Sequence, residues 1–380
     1  RASGGVGIDR TPDPAMKLDV NGAVRASDTI EATNGGFKFP DGSVQTSAAS
    51  SLPSGALVLT ESATPPQGFS STGWSTRTPT GLDTWSAGPT TPLALQRSCS
   101  AVVNDKWYVF GGELGSGYSD GAWEFDPVSS TWSLLAPMPT GARSRAVAVA
   151  VGTSIYIIGG FDGAAPTPDV LEYQPASGAW GVVSTMPSPA YWCSAAASNG
   201  RIYVFGGLPT STSQVWEYDP IGAAWTSKPA FQLGHRQAAV SVNDRILVVG
   251  GIPFGAGSSE PTEAAYEYLP ATSTWRDLPP LPQPRYAHTV ASIGGRVLVL
   301  GGATCTTNSC RTSTVLEYDV TAPQGWAYRA SLLESRTNAV AAFVDGALQI
   351  AGGYGGNNQP SNTSEVYDPQ TVELHYHRKD

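Results

Sequence analysis

Charged residues are scarce in this chain of 380 residues, since Asp, Glu, Lys and Arg together make up 14% of it. The formal net charge is -9, and the sequence holds no run of five or more Lys and Arg residues. A protein that follows the phosphates of a nucleic acid needs clustered basic side chains. We therefore expect no nucleic-acid partner.

Long hydrophobic runs and catalytic motifs are also missing. No apolar stretch approaches the roughly 18 residues that a membrane-spanning helix needs, so we expect no membrane insertion. The nucleophile elbow, the zinc-binding helix motif, the phosphate loop and the dinucleotide fingerprint are all absent. We expect no catalytic residue, no metal and no cofactor. Two of the four histidines, His375 and His377, leave two alternatives open, a metal pair at a strand end or a solvated tail.

Cysteine is rare, and its four copies fall into two pairs. Cys305 and Cys310 lie in one Thr/Ser/Asn-rich loop, and we predict a disulfide between them; a zinc site would need further Cys or His ligands nearby. Cys99 and Cys193 stand at matching places in two different repeats, where they would be too far apart to bridge. We predict that both are buried free thiols.

Glycine and aromatic residues are abundant, and they recur in phase. A double glycine follows an apolar run six times, at intervals of 48, 47, 44, 51 and 51 residues. A tryptophan precedes each doublet by 25 to 27 residues. These tryptophans are Trp85, Trp132, Trp180, Trp225, Trp275 and Trp326. A period of this length, with short apolar strands parted by turn residues, predicts a radially repeated sheet.

The double glycine, the aromatic residues and the spaced tryptophan resemble the Kelch repeat over about residues 82 to 376. The resemblance implies an all-β fold in which six four-stranded blades close into a β-propeller. We predict that the tryptophans and tyrosines fill the wedges between blades. The last repeat has Leu374 where its tryptophan should stand. The segment at Trp85 should therefore supply the outer strand of the last blade.

The first eighty residues lack this period and show strand and turn signals instead. Asn21-Gly22 and Pro40-Asp-Gly42 each lie between short strand-like runs, which predicts two hairpins. The sequence from Val6 to Thr46 resembles segments of phage tail fibres and bacterial surface fibres. The resemblance implies a stalk that self-associates, as a homotrimer, outside the cell on a bacterial surface or phage-like particle. We divide the chain into a fibre-like segment (1–50), a connector or collar (51–81) and the propeller (82–380).

The rim of the ring is the expected ligand site. In peptide-binding Kelch domains, which this repeat resembles, arginines and aromatics occupy that rim. The matching residues here are Arg97, Arg143, Tyr191, Arg236, Arg285 and Arg336 at strand entry, with Phe161 and Tyr354 after the glycines. Such a rim would suit carboxylates, sulfates or acidic sugars. Alternatively, each arginine pairs with an acid or carbonyl of a neighbouring blade and only orders the ring.

Three functions remain open on this evidence. The first is a non-enzymatic extracellular recognition module, the tip of an oligomeric fibre that binds a surface glycan or protein receptor. The second is a structural subunit of an extracellular filament or injection-particle appendage. The third is a sugar-acting enzyme resembling galactose oxidase, although the histidines here fall in separate repeats or in the tail.

Overall fold

A computed structural model describes residues 84–367, apart from residues 210–212, 233, 256–259, 308–309 and 322–323. Outside that range it describes only the backbone of eight strands, which are given at the end of this section. The chain divides into two compact units, Arg1–Leu82 with Pro369–Asp380, and Asp83–Asp368. Within the described ranges no α-helix is present, so these residues contain no helix that could cross a membrane.

The larger unit contains six four-stranded antiparallel sheets, the blades of a propeller. The inner strands are Cys99–Val103, Val147–Val151, Ser194–Ser198, Ala238–Val242, Thr289–Ile293 and Val340–Val344. The second strands are Lys106–Phe110, Ser154–Ile158, Arg201–Phe205, Arg245–Val249, Arg296–Leu300 and Ala347–Ala351. The third strands are Ala122–Asp126, Asp169–Gln174, Val215–Asp219, Ala265–Leu269, Val315–Asp319 and Ser364–Tyr367. The outer strands are Thr131–Leu134, Ala179–Thr185, Ala224–Lys228, Thr274–Asp277, Ala327–Arg329 and Trp85–Ala87.

Each inner strand neighbours the inner strand of the next blade, and the sixth neighbours the first, so the sheets close a ring. Two faces follow from this topology. The mouth face carries the Gly-Gly pairs and the loops between second and third strands. The turn face carries the tight turns that join the first strand to the second and the third to the fourth. The six-bladed all-β architecture predicted from the repeat is confirmed.

The hydrophobic core is divided into six clusters, one at each junction between neighbouring blades. The second strand of a blade faces a neighbour on both sides, which explains its nearly continuous apolar sequence and its burial. Between the first two blades, the Phe110 ring meets the rings of Tyr173 and Trp180 with centroids 5.8 and 5.6 Å apart. The predicted wedge role of the aromatic residues is confirmed.

The repeated tryptophans also link the blades through hydrogen bonds. Trp85, Trp180, Trp275 and Trp326 each donate the indole N–H to a backbone carbonyl just beyond the outer strand of the preceding blade, at 2.8 to 3.1 Å. Trp225 donates to the Ser184 hydroxyl at 3.1 Å. Trp132 is the exception, because its buried Nε1 has no hydrogen-bond partner among the described residues.

The double glycine is required because neighbouring blades approach closely there. Both glycines of each pair have positive φ, at Gly111 and Gly112 for example 60° and 111°. A Cβ on Gly111 would lie 2.0 Å from the Arg143 carbonyl oxygen of the next blade. The N–H of Gly112 donates to that same carbonyl at 2.8 Å, and the other five pairs repeat the bond. A side chain at the first glycine would thus break a junction between blades.

The strand Trp85–Ala87 closes the ring. It pairs antiparallel with Ser364–Tyr367, with Trp85 opposite Tyr367 and Ala87 opposite Glu365. The last blade is therefore built from both ends of the propeller segment, as predicted from the missing tryptophan. Cys99 and Cys193 are buried free thiols, as predicted. Burial raises the pKa of each to about 12.

The smaller unit is described only as strands. Gly5–Gly7 pairs in parallel with Ala23–Arg25. The run before Asn21-Gly22 lies outside the described residues, so the hairpin predicted there stays a prediction. Glu31–Thr33, Gly36–Lys38 and Val44–Gln45 form an antiparallel sheet, which confirms the second hairpin. Thr371–Lys379 pairs with Leu57–Thr60 and with Phe69–Pro79. The larger compact unit accordingly ends at Asp368.

Candidate ligand-binding site at the channel mouth

Six residues with left-handed backbone form a belt around the channel on the mouth face. They are Arg97, Arg145, Trp192, Arg236, Ala287 and Asn338, with φ between 51° and 59°. The N–H of each donates to the carbonyl of the belt residue in the preceding blade, at 2.8 to 3.1 Å, and Arg97 donates to Asn338. Six backbone bonds thus close a complete circle and hold the belt side chains at fixed positions.

Three arginines of the belt surround the single tryptophan. The guanidinium carbon of Arg236 lies 3.5 Å from the centre of the Trp192 ring, which is a stacking distance. The corresponding distances for Arg145 and Arg97 are 4.6 and 5.9 Å. We call Arg97, Arg145, Trp192, Arg236 and the neighbouring Glu113 the mouth cluster.

One carboxylate serves two of the three guanidinium groups. Glu113, only 8% exposed, forms an ion pair with Arg145 at 2.8 Å and accepts a hydrogen bond from Arg97, and its Oε1 also accepts from the Ser144 hydroxyl. Among the described residues no carboxylate pairs with Arg236. Burial first, and then the nearby charges of Arg97 and Arg145, lower the pKa of Arg236 to about 10, so it stays charged at neutral pH.

The buried polar atoms of the cluster without partners are all nitrogens. The Nε atoms of Arg97, Arg145 and Arg236 and the Nε1 of Trp192 find no hydrogen-bond partner in the part of the chain that the structure describes. All four are donors, and an arginine side chain cannot accept a hydrogen bond. A group that offers only acceptors, such as a carboxylate or a sulfate, complements this arrangement best.

A continuous arc of six rings accompanies the cluster across the mouth face. Neighbouring centroids are 5.2 to 6.1 Å apart along the series Tyr118, Phe161, Tyr191, Trp192, His235 and Phe254. Arg145 lies within 5.8 Å of the Phe161 and Tyr191 ring centres, and Arg236 lies 5.6 Å from that of Tyr286. Burial lowers the pKa of His235 to about 4, so this ring adds no charge at neutral pH.

Three of the arginines assigned to the rim from the sequence need correction. Arg143, Arg285 and Arg336 are only 2%, 0% and 1% exposed. Each donates to the carbonyl of the first glycine of its own blade at 3.0 to 3.2 Å, and to a carbonyl at the end of the loop that follows. They order their blades from inside and do not face the mouth. The alternative interpretation placed such bonds between neighbouring blades, whereas these bonds lie within one blade.

Two fixed distances from the first glycine separate the belt residues from the buried arginines. Belt residues stand fourteen positions before the first glycine, because one linking residue, two five-residue strands and a two-residue turn separate them in every blade, whereas the buried arginines stand sixteen before it. Arg97 and Arg236 satisfy the first spacing; Tyr191 precedes the belt residue Trp192. Arg145 and Trp192 were not assigned to the site from the sequence, although the fixed spacing identifies both.

The remaining candidates are Phe161 and Tyr354. Phe161 forms a β-bridge with Ser144, and Tyr354 forms one with Thr337; both partners lie directly before a belt residue, as in the other blades. Phe161 joins the aromatic arc. Tyr354 lies on the far side of the ring, beneath Arg311, whose guanidinium carbon is 5.0 Å from its ring centre. Arg311 also donates to the Asn358 side chain. The loop that carries Arg311 contains a disulfide between Cys305 and Cys310.

The mouth cluster lies on the face from which the propeller chain neither enters nor leaves. Trp85 and Tyr367, cross-strand partners near the two ends of this unit, stand at the turn face of the last blade. Metal binding has no candidate in the described residues, where no three His, Cys, Asp or Glu side chains are grouped to hold an ion. The histidine pair at 375 and 377 falls outside the described side chains.

Comparison with known proteins bears on the repeat. The KLHDC2/KLHL20/DRC7 Kelch-repeats domain matches residues 74–207, and the Kelch motif matches residues 192–232, 234–282 and 335–371. The Kelch-like protein terF of Aspergillus terreus is 29% identical over 314 residues, which cover 76% of this chain and 58% of that protein.

An F-box/kelch-repeat protein of Arabidopsis thaliana is 29% identical over 205 residues, covering 50% of this chain and 42% of the relative. The chain thus spans less than two thirds of either relative. The solved structure of YjhT superposes with a TM-score of 0.63 over 73% of this chain and 95% of its own, at 18% identity, which bears on the fold alone. With six phased glycine pairs and six four-stranded blades, these matches show that the chain is a six-bladed β-propeller of the Kelch-repeat family.

Proposed function

We propose that this chain is a non-enzymatic recognition module that binds an acidic group of a partner at the mouth cluster. The observation that carries the proposal is the set of three belt arginines around Trp192, of which Arg97 and Arg145 share Glu113 and Arg236 pairs with no carboxylate among the described residues. Burying charge without a partner is costly, so an incoming anion gains more from Arg236 than from an exposed arginine.

We further propose that the module is the receptor- or glycan-binding tip of an oligomeric fibre outside the cell. Three features support this. The first fifty residues resemble fibre stalks, the candidate site lies opposite the ends of the propeller segment, and the Cys305–Cys310 disulfide suits an oxidising compartment. Several copies of one site on a fibre would raise avidity without new contacts at each site.

The test is binding of the intact chain to an array of acidic and neutral glycans and to acidic peptides, with Arg236→Gln as the variant. We expect the wild type to select acidic ligands and Arg236→Gln to weaken their binding at least tenfold, because an uncompensated charge has been removed. Arg276→Gln is the matched control, since Arg276 is 63% exposed and pairs with Glu267. Equal binding of neutral ligands, or an unchanged Arg236→Gln variant, would contradict the proposal.

A further inference from the structure

Three aromatic rings extend the mouth cluster outward over the first three blades. The ring centres of Tyr118 and Phe161 are 6.1 Å apart, and those of Phe161 and Tyr191 are 5.4 Å apart. Tyr118 is 37% exposed, while Phe161 and Tyr191 are half-buried. We call these three residues the aromatic platform.

The platform is held by its backbone. Phe161 exchanges two backbone hydrogen bonds with Ser144 at 2.8 and 2.9 Å, and Tyr191 exchanges two with Leu208 at 2.8 Å. Tyr118 ends a short hairpin, Glu113–Leu114 with Gly117–Tyr118. Its ring lies against Gly163 of the next blade, where an added Cβ would be 2.9 Å from a ring carbon. The three rings are thus presented in fixed positions before any ligand arrives.

The platform and the mouth cluster are continuous. Arg145 joins them, because its guanidinium carbon is 5.1 Å from the Phe161 ring centre and 4.6 Å from that of Trp192. The Glu113 carboxylate beneath this junction is already shared by two arginines. A ligand anchored by an anion near Arg236 and Trp192 would therefore run outward over rings and meet no free negative charge from Glu113.

The backbone of the mouth offers little to a peptide strand. The belt N–H and C=O groups bond to one another, and the second glycines bond across the blade junctions. A peptide that binds by adding a strand needs free main-chain groups. A sugar unit needs none, because its apolar C–H face packs on an aromatic ring while its carboxylate or sulfate accepts from arginine.

We propose that the aromatic platform binds the neighbouring sugar unit of an acidic oligosaccharide whose anionic unit is held at the mouth cluster. This inference rests on the proposed function and names the ligand class of the same site. It assigns Tyr118 and Phe161 as residues that distinguish a chain of sugar units from a single acidic unit.

The experiment compares single acidic sugars with trisaccharides that contain them, using uronic, sialic and sulfated series, by titration of the intact chain. We expect at least tenfold tighter binding of the trisaccharide in one series. Tyr118→Ala and Phe161→Leu should remove that gain. Tyr118→Ala, whose ring contacts Phe161 and no mouth-cluster residue, should leave the affinity for the single unit within twofold. Tyr118→Phe, which keeps the ring, should retain the gain. Tyr328→Ala, which changes an exposed tyrosine on an outer strand, is the control.

The outcomes separate the two proposals. Equal affinity for single units and trisaccharides, or a gain that survives both platform variants, would overturn the inference. Acidic peptides that bind through Arg236 while no acidic sugar binds would also overturn it and leave the proposed function standing. Failure of every acidic probe would overturn both.

Discussion

The surroundings of an arginine in this ring depend on its distance from the following Gly-Gly pair. Arg285 stands sixteen positions before the first glycine; it is fully buried and donates hydrogen bonds to the Gly301 and Thr314 carbonyls. Arg236 stands fourteen positions before the first glycine; it stacks on the indole of Trp192 and pairs with no carboxylate among the described residues. One type of residue therefore serves stability in one place and is available to a ligand in the other.

Arg285→Ala should consequently lower the stability of the fold, whereas Arg236→Gln should lower the affinity for a ligand. Arg285→Ala removes three hydrogen bonds of a buried side chain, those to the Gly301 and Thr314 carbonyls and to the Thr314 hydroxyl, so we expect a loss of about 3 kcal/mol or more in unfolding free energy. Arg236→Gln should change stability by about 1 kcal/mol at most and act on ligand affinity instead. Urea unfolding of both variants checks the first effect; equal losses would contradict it.

His288 should make the stability of the propeller depend on pH. Burial, and after it the charge of Arg285, lowers the pKa of this side chain from 6.5 to about 3. The folded protein thus keeps His288 neutral while the unfolded chain takes up a proton below about pH 6.5, so stability falls as the pH falls from 6.5 towards 3. Between pH 7 and pH 5 the loss from this residue should be about 2 kcal/mol.

The measurement is the unfolding free energy at both pH values for the wild type and for His288→Gln. Glutamine is the residue that already stands at the matching position of the preceding repeat, Gln237, and it does not titrate. We expect the pH-dependent loss to shrink by about 2 kcal/mol in the variant. An identical pH dependence would show that His288 does not cause it.

Among the elements of the propeller, the closing strand Trp85–Ala87 is the one whose partner is most distant in the chain. Trp85 is 8% exposed, its ring centre is 5.1 Å from that of Tyr367, and its indole donates to the Ala330 carbonyl at 3.0 Å. Losing it would loosen the junction between the fifth and sixth blades and uncover the edge of Ser364–Tyr367.

We expect Trp85→Ala to lower the unfolding free energy by about 3 to 5 kcal/mol, through lost burial and contact. Trp85→Phe keeps a ring and loses the indole donor, so its cost should be nearer about 1 kcal/mol, the usual value of one hydrogen bond. Denaturant unfolding followed by tryptophan fluorescence measures both. An unchanged unfolding free energy in Trp85→Ala would show that the propeller does not depend on closure by this strand.

For the whole molecule, the prediction concerns assembly. If the first fifty residues form a self-associating stalk, light scattering should give the intact chain of 39.6 kDa the molar mass of a discrete trimer. Removing residues 1–50 should yield monomers, because it spares the strands Leu57–Thr60 and Phe69–Pro79 that pair with Thr371–Lys379. Open-ended filaments would favour the structural subunit over the fibre tip, and a monomeric intact chain would contradict the stalk.

The sequence alone determined the architecture of the propeller. The phased Gly-Gly pairs, the tryptophan before each pair and the missing tryptophan at Leu374 specified six blades, the wedges between them and closure by Trp85. These features are readable because each repeat solves the same local problem, a close backbone approach at the glycine and a wedge to be filled by a ring.

The tertiary structure alone decided which side chains share the mouth. Arg143 and Arg145 are two residues apart, yet one is buried in its blade and the other stacks on Trp192 of the next. Arg145 has the left-handed backbone of a belt residue and Arg143 does not, and no hydrophobic period in the sequence records that difference. The pairing of Thr371–Lys379 with strands roughly three hundred residues earlier was equally hidden, because only the closed ring returns the two ends of the propeller segment to one blade.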